Sequence, residues 1–118
     1  MVKKARVVKI DNARGGDGSI EMHHFLEGEE LLGQNAMFAK VVVKPNSSIG
    51  WHQHVGDTEP YAIIKGEGTF IDSDGTKTVV VPGDVCCINV GDHHSLENHS
   101  SSEDLEIIAL VINDPSAK

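Results

Sequence analysis

Apolar residues in this chain gather in short runs rich in Val and Ile, at residues 36–44, 61–65, 78–81, 85–88 and 105–112. Between them lie turn-forming clusters: Pro45-Asn46-Ser47-Ser48, Lys65-Gly66-Glu67-Gly68, Asp72-Ser73-Asp74-Gly75 and Pro82-Gly83-Asp84. Turn signals recurring about every eight to twelve residues around β-branched runs predict many short strands joined tightly, an all-β sandwich or barrel. Residues 26–32 are the one stretch open to a helical turn or two, and they lack a clear cap.

Composition narrows the function. The chain has 118 residues and 12.7 kDa, the size of one compact domain over 1–118, with polar ends at 1–4 and 115–118 expected to fray. It carries 18 Asp+Glu against 10 Lys+Arg, a formal charge of −8, and only one Trp, one Tyr and three Phe. Such a chain lacks the basic field and the stacking surface that nucleic acids require, and the same charge disfavours an anionic membrane. No segment reads as a secretory h-region or a membrane span, so a cytoplasmic protein is expected. The two cysteines, Cys86 and Cys87, are neighbours. A vicinal disulfide closes almost no loop, so two reduced thiols on one strand are expected, one facing inward and one outward.

The chemistry concentrates in the histidines. His52 and His54 are separated by one residue, and on a strand such a pair shares one face. Glu59 follows across the turn-like Val55-Gly56-Asp57-Thr58, where a reversal would return its carboxylate to the two rings. His94 follows Gly91-Asp92-His93. If the 85–88 strand lies beside the first hairpin, His94 completes a set of three imidazoles and one carboxylate. Mixed nitrogen and oxygen ligation without thiolate suits one divalent ion among Fe, Mn, Ni, Co and Zn, with positions left for water and substrate.

The run Gly50-Trp51-His52-Gln53-His54, then Glu59 and Gly66, resembles the first motif of the cupin superfamily. The run Gly83, Asn89, Gly91, His94 and Asn98 resembles the second. The resemblance implies a double-stranded β-helix, the jelly-roll barrel of small single-domain bacterial cupins, with His52, His54, Glu59 and His94 as metal ligands. Motif spacing selects His94 over its neighbour His93, which should face the opposite way. The family's usual Pro is replaced by Asn89, which tolerates turn geometry. Its usual glycine ahead of the first His is absent, with Pro45 and Asn46 there instead.

Other residues admit two readings. Tyr61, two positions after Glu59, should face the same interior, either as a catalytic residue orienting substrate or water or as an aromatic filling the barrel mouth. Trp51 should point away from the ligands and pack. His23 or His24 could reach a pocket rim, but exposed loop or edge-strand positions are the simpler expectation. Arg14, in the loop Arg14-Gly15-Gly16-Asp17-Gly18, could meet an anionic substrate through its guanidinium, with a solvated loop as the plainer reading.

The resemblance implies a metal-dependent enzyme of oxygenase, decarboxylase, isomerase or lyase type acting on a small oxygen-rich metabolite. A non-catalytic cupin that binds or senses a small ligand is the alternative. The expected partner is a small molecule, and a homodimer is expected, with residues 5–10 adding to a sheet edge.

Overall fold

The computed structural model describes residues 1–34 and 36–116. Two antiparallel sheets face each other across a core. The larger is built from β1 (Arg6–Asp11), β2 (Ser19–Leu26), β3 (Met37–Val43), β11 (Leu105–Asn113), β6 (Tyr61–Lys65) and β9 (Val85–Cys86) in that order, with β5 (Asp57–Thr58) on the far part of β11. The smaller runs β4 (Ser47–Gln53), β10 (His93–Asn98), β7 (Gly68–Ile71), β8 (Lys77–Val80). This is the expected double-stranded β-helix. Among the described residues no helix is long and apolar enough to cross a membrane.

Strand alternation builds the core. On β11, Leu105, Ile107 and Ala109 point inward and are almost wholly buried, while Glu106 and Ile108 take the other face. Val41 and Val43 of β3, Ile63 of β6, Phe70 of β7 and Leu96 of β10 meet them. Asn98 ends this packed region: its buried side-chain amide donates to the carbonyls of Val43, Lys44 and Glu103 at 3.0, 3.1 and 2.8 Å. It thereby ties β10 to the end of β3 and the approach to β11.

Several boundaries differ from the expectation. The 85–88 run lies beside the first hairpin as expected, but forms strand only over Val85–Cys86, on β6, while β10 pairs with β4 and sets His94 opposite His52. Residues 26–32 divide between the end of β2 and a 3₁₀ turn at Gly28–Leu31, too short for a stable helix. Residues 6–11 add to the sheet edge of their own chain through β2. Cys86 is buried and Cys87 exposed, both as free thiols, as alternation requires. Of the ends expected to fray, Ala117 and Lys118 lie outside the described residues.

A 3₁₀ turn at Ala13–Gly15 and the loop after it lie across β4. Ser48 Oγ accepts from Asp17 N at 2.9 Å, and Ser47 Oγ accepts from Ser19 N at 3.0 Å. The approach is close enough to need glycine on both sides. A Cβ on Gly50 would collide with the Arg14 carbonyl, and one on Gly16 with the Ser48 carbonyl. Gly50 lies two residues before His52, so the same contact that seats this loop borders the site.

Candidate metal centre

His52 comes from β4, His54 from the residue after it, Glu59 from the link between β5 and β6, and His94 from β10. One ligand atom from each lies within 4.8 Å of all the others. The three Nε2 atoms form a triangle with every side 3.1 Å. Glu59 Oε1 lies 3.1 Å from His54 Nε2, 3.4 Å from His94 Nε2 and 3.7 Å from His52 Nε2. The expected parity holds at the neighbours. His93 turns outward and stacks on Trp51 with centroids 5.4 Å apart. Trp51 is half-exposed on that outer face.

The proton positions follow from the partners. His52 Nδ1 lies 2.7 Å from the Gly50 carbonyl, and His54 Nδ1 lies 2.7 Å from Asp57 Oδ1. Both oxygens accept only, so both Nδ1 atoms carry hydrogen, and in the neutral rings both Nε2 atoms present lone pairs. Two bare ring nitrogens cannot hydrogen-bond each other, and here they converge beside a carboxylate. Such a cluster repels itself unless a proton or a cation sits among the donors. Nitrogens 3.1 Å apart could all reach one shared cation at an ordinary bond length of about 2.1 Å. The residues therefore fit a divalent ion. Three neutral imidazoles and one carboxylate would leave it a net charge near +1.

His94 is held differently. Its buried Nδ1 has no hydrogen-bond partner within the protein. Packing orients the ring instead: Tyr61 stacks on it at 4.7 Å and Phe70 meets it edge-on at 5.8 Å. The Tyr61 hydroxyl reaches 3.2 Å from His94 Nε2, so the side chain that parity placed inside also brings its polar tip to the cluster.

Electrostatics agree with the geometry. Burial works against ionisation of Glu59, but the surrounding imidazoles, sharing a proton when no cation is present, hold its pKa far below the usual carboxylate range. Glu59 raises His54 above its ordinary pKa against the opposing effect of burial, and Asp57 adds to the rise. Burial lowers His94 despite Glu59. Burial, then the Glu59 charge, raises Tyr61 well above the ordinary phenol, so its hydroxyl stays protonated at neutral pH and can donate.

Some residues lie away from this centre or were missed. His23 and His24 sit on β2, an interior strand rather than an edge, and are half-buried; neither lines the cavity beside the cluster. Arg14 is exposed at the rim of that cavity. Burial pushes the Cys86 thiol up to about 11, which makes it an inert core residue. Asp57 was read only as part of a turn, yet it sets the His54 tautomer. A carboxylate three residues after a candidate ligand was the available signal.

Comparison with known proteins gives a consistent likeness. A family model described as a cupin domain matches residues 39–112. The oxalate-binding protein of Thermotoga maritima is 41% identical over 104 residues, spanning 88% of this chain and 84% of that protein. The crystal structure of a predicted oxalate decarboxylase from the same organism superposes with a TM-score of 0.84 at 39% identity, covering 96% of this chain and 98% of the other. A cupin-like protein of Thermotoga maritima, 17% identical with a TM-score of 0.72 over 98% of this chain and 81% of its own, shares the fold alone.

Proposed function

This chain belongs to the cupin family, and on that premise we propose that it is a metal-dependent enzyme acting on a small oxygen-rich metabolite, with His52, His54, Glu59 and His94 as the ligands of one divalent ion. The observation that carries this reading is the convergence of bare Nε2 atoms on a carboxylate, with the opposite Nδ1 protons committed elsewhere. When bound, the ion supplies Lewis acidity toward a chelating oxygen pair, or a redox couple, as decarboxylase, isomerase, lyase or oxygenase chemistry needs.

The protein's own groups have separable parts. Asp57 and the Gly50 carbonyl orient two imidazoles, and Tyr61 with Phe70 clamps the third. Tyr61, protonated and buried, donates a hydrogen bond to a ligand oxygen or a bound water and holds it in place. Oxalate is the first ligand to try, because the relative at 41% identity bears the name of an oxalate-binding protein. The two free thiols support a reducing, cytoplasmic setting, and the unpaired outer edge of β1 supports pairing with a second copy.

A second reading, ligand binding without turnover, has one observation in its favour: among the described residues no free general base stands at the site. Glu59 belongs to the cluster and Tyr61 keeps its proton. Assaying loaded protein with oxalate and other small oxygen-bearing acids separates the two. Turnover that disappears in His52→Ala supports the enzyme. Tight binding with no product by mass spectrometry supports the binder.

A further inference from the structure

A cavity of about 280 Å³ opens beside the histidine cluster, and its lining combines two chemistries. Its polar lining comes from the clustered His52, Glu59 and Tyr61 and from the exposed Arg14. The remaining wall is hydrocarbon and thioether, from Ile10, Ile20, Met22, Met37, Val41 and Ala109. A second concavity of about 300 Å³ shares Arg14, Met37 and Glu59 with the first and reaches the exposed Gln53 and Val55, which marks it as the mouth.

Among the described residues, Arg14 is the one Lys or Arg that lines this cavity. The other arginine, Arg6, is committed to Glu27. Among the described residues Arg14 has no ion pair and no side-chain hydrogen bond, in a chain with 18 acidic residues that could have supplied one. Its backbone is built into position rather than trailing in solvent. It occupies the left-handed region at φ 54, ψ 32, in the turn that the Gly16–Gly50 contact and the two serines press onto β4.

The shape of the ligand follows from these walls. At the ~30 Å³ that one water occupies, the cavity takes on the order of nine non-hydrogen atoms. A dianion such as oxalate is polar at both ends and would leave the aliphatic wall uncovered. An aliphatic wall stabilises only hydrocarbon, and an unpaired guanidinium stabilises one carboxylate. We propose that the preferred ligand is a 2-oxo monocarboxylate with a hydrocarbon tail: its chelating oxygens lie at the histidine cluster, its charge faces Arg14 and its tail fills the chamber between β2, β3 and Ala109. This inference rests on the reading that the cluster holds a divalent ion, and it goes further by naming what selects the ligand.

The test is calorimetric and needs no turnover. Protein loaded with Zn²⁺ is titrated with pyruvate, 2-oxobutanoate, 2-oxopentanoate and 2-oxohexanoate, and separately with oxalate. Affinity should rise about fourfold per added methylene until the chamber is full. Arg14→Gln should weaken the whole series about tenfold without changing the increment. Met22→Gln, which keeps length but makes the wall polar, should flatten the increment while Zn²⁺ content stays the same. A flat or falling series in Zn²⁺-retaining protein overturns the inference, and if oxalate still binds, the metal-site reading survives it. Failure to retain Zn²⁺ at all overturns the metal-site reading and the inference with it.

Discussion

The two ends of the barrel use the same strands for opposite purposes. On β10, His94 lies opposite His52 at the open end; Leu96, two residues on, is fully buried; Asn98, two further, closes the far end with three donated contacts. β11 runs the other way, from fully buried Leu105 through Ile107 to Ala109 on the cavity wall. One period-two pattern therefore carries apolar packing into polar chemistry within a few residues. The sealed end gains its stability from apolar contact and the Asn98 hydrogen bonds. The open end gathers groups that repel each other, so it relies on the sealed end to hold them there. Stability and ion binding should accordingly separate by position along a single strand.

The largest expected effect is at the sealed end. Leu96→Ala removes a side chain with no exposure and should cost about 2–5 kcal/mol in chemical denaturation, while the ion stoichiometry of the folded protein stays unchanged. Loss of the ion with little loss of stability would break the separation. At the open end, Asp57→Ala removes the acceptor that fixes the His54 tautomer. A competition titration should show ion affinity falling about 10–100-fold, with the melting temperature of ion-free protein scarcely moved.

Acidification sharpens the same contrast. Glu59, opposed by burial and helped by Asp57, holds the His54 pKa above its ordinary value of 6.5. An ion needs that ring neutral, so proton competition begins above pH 6.5, and affinity should then fall by up to about tenfold per pH unit for each proton displaced. The ion-free protein behaves in the opposite sense. A raised folded-state pKa adds stability below the unfolded-state value, and that stability is lost as pH rises through the folded-state value. Melting temperatures with and without the ion should therefore converge as pH falls from 8 to 5. A gap that stays constant over that range would show that His54 is not a ligand. The smallest effect belongs to the outer face. His93→Ala disturbs only the stack on Trp51 and should change stability by no more than about 0.5 kcal/mol, with ion affinity untouched.

Much of the cluster was legible in the sequence because its rules are local. Parity put His52 and His54 on one face, set Tyr61 with Glu59, and sent His93 and Trp51 outward; the two glycine-framed motifs supplied His94. Cys86 and Cys87 divided by the same rule. What depended on long-range pairing was read less well. Residues 85–88 do lie beside the first hairpin, but as a two-residue strand on β6, and the pairing of β10 with β4 that seats His94 has no local signal. Residues 47–53 lack a continuous Val and Ile run, because His52, Ser47, Ser48 and Gly50 serve the site and the loop crossing it. The position of Arg14 was beyond local reading: it follows from Gly16 meeting Gly50, a contact between residues 34 positions apart that no periodicity announces.

In the proposed function, a cation is what reconciles three imidazoles with one carboxylate. The most direct measurement is elemental analysis of untagged protein, followed by titration of chelator-treated protein with divalent ions, alongside His94→Ala. The account predicts one ion per chain, recovered on titration and lost in the variant. Wild-type protein that is substoichiometric in every ion and takes up none on titration would contradict it.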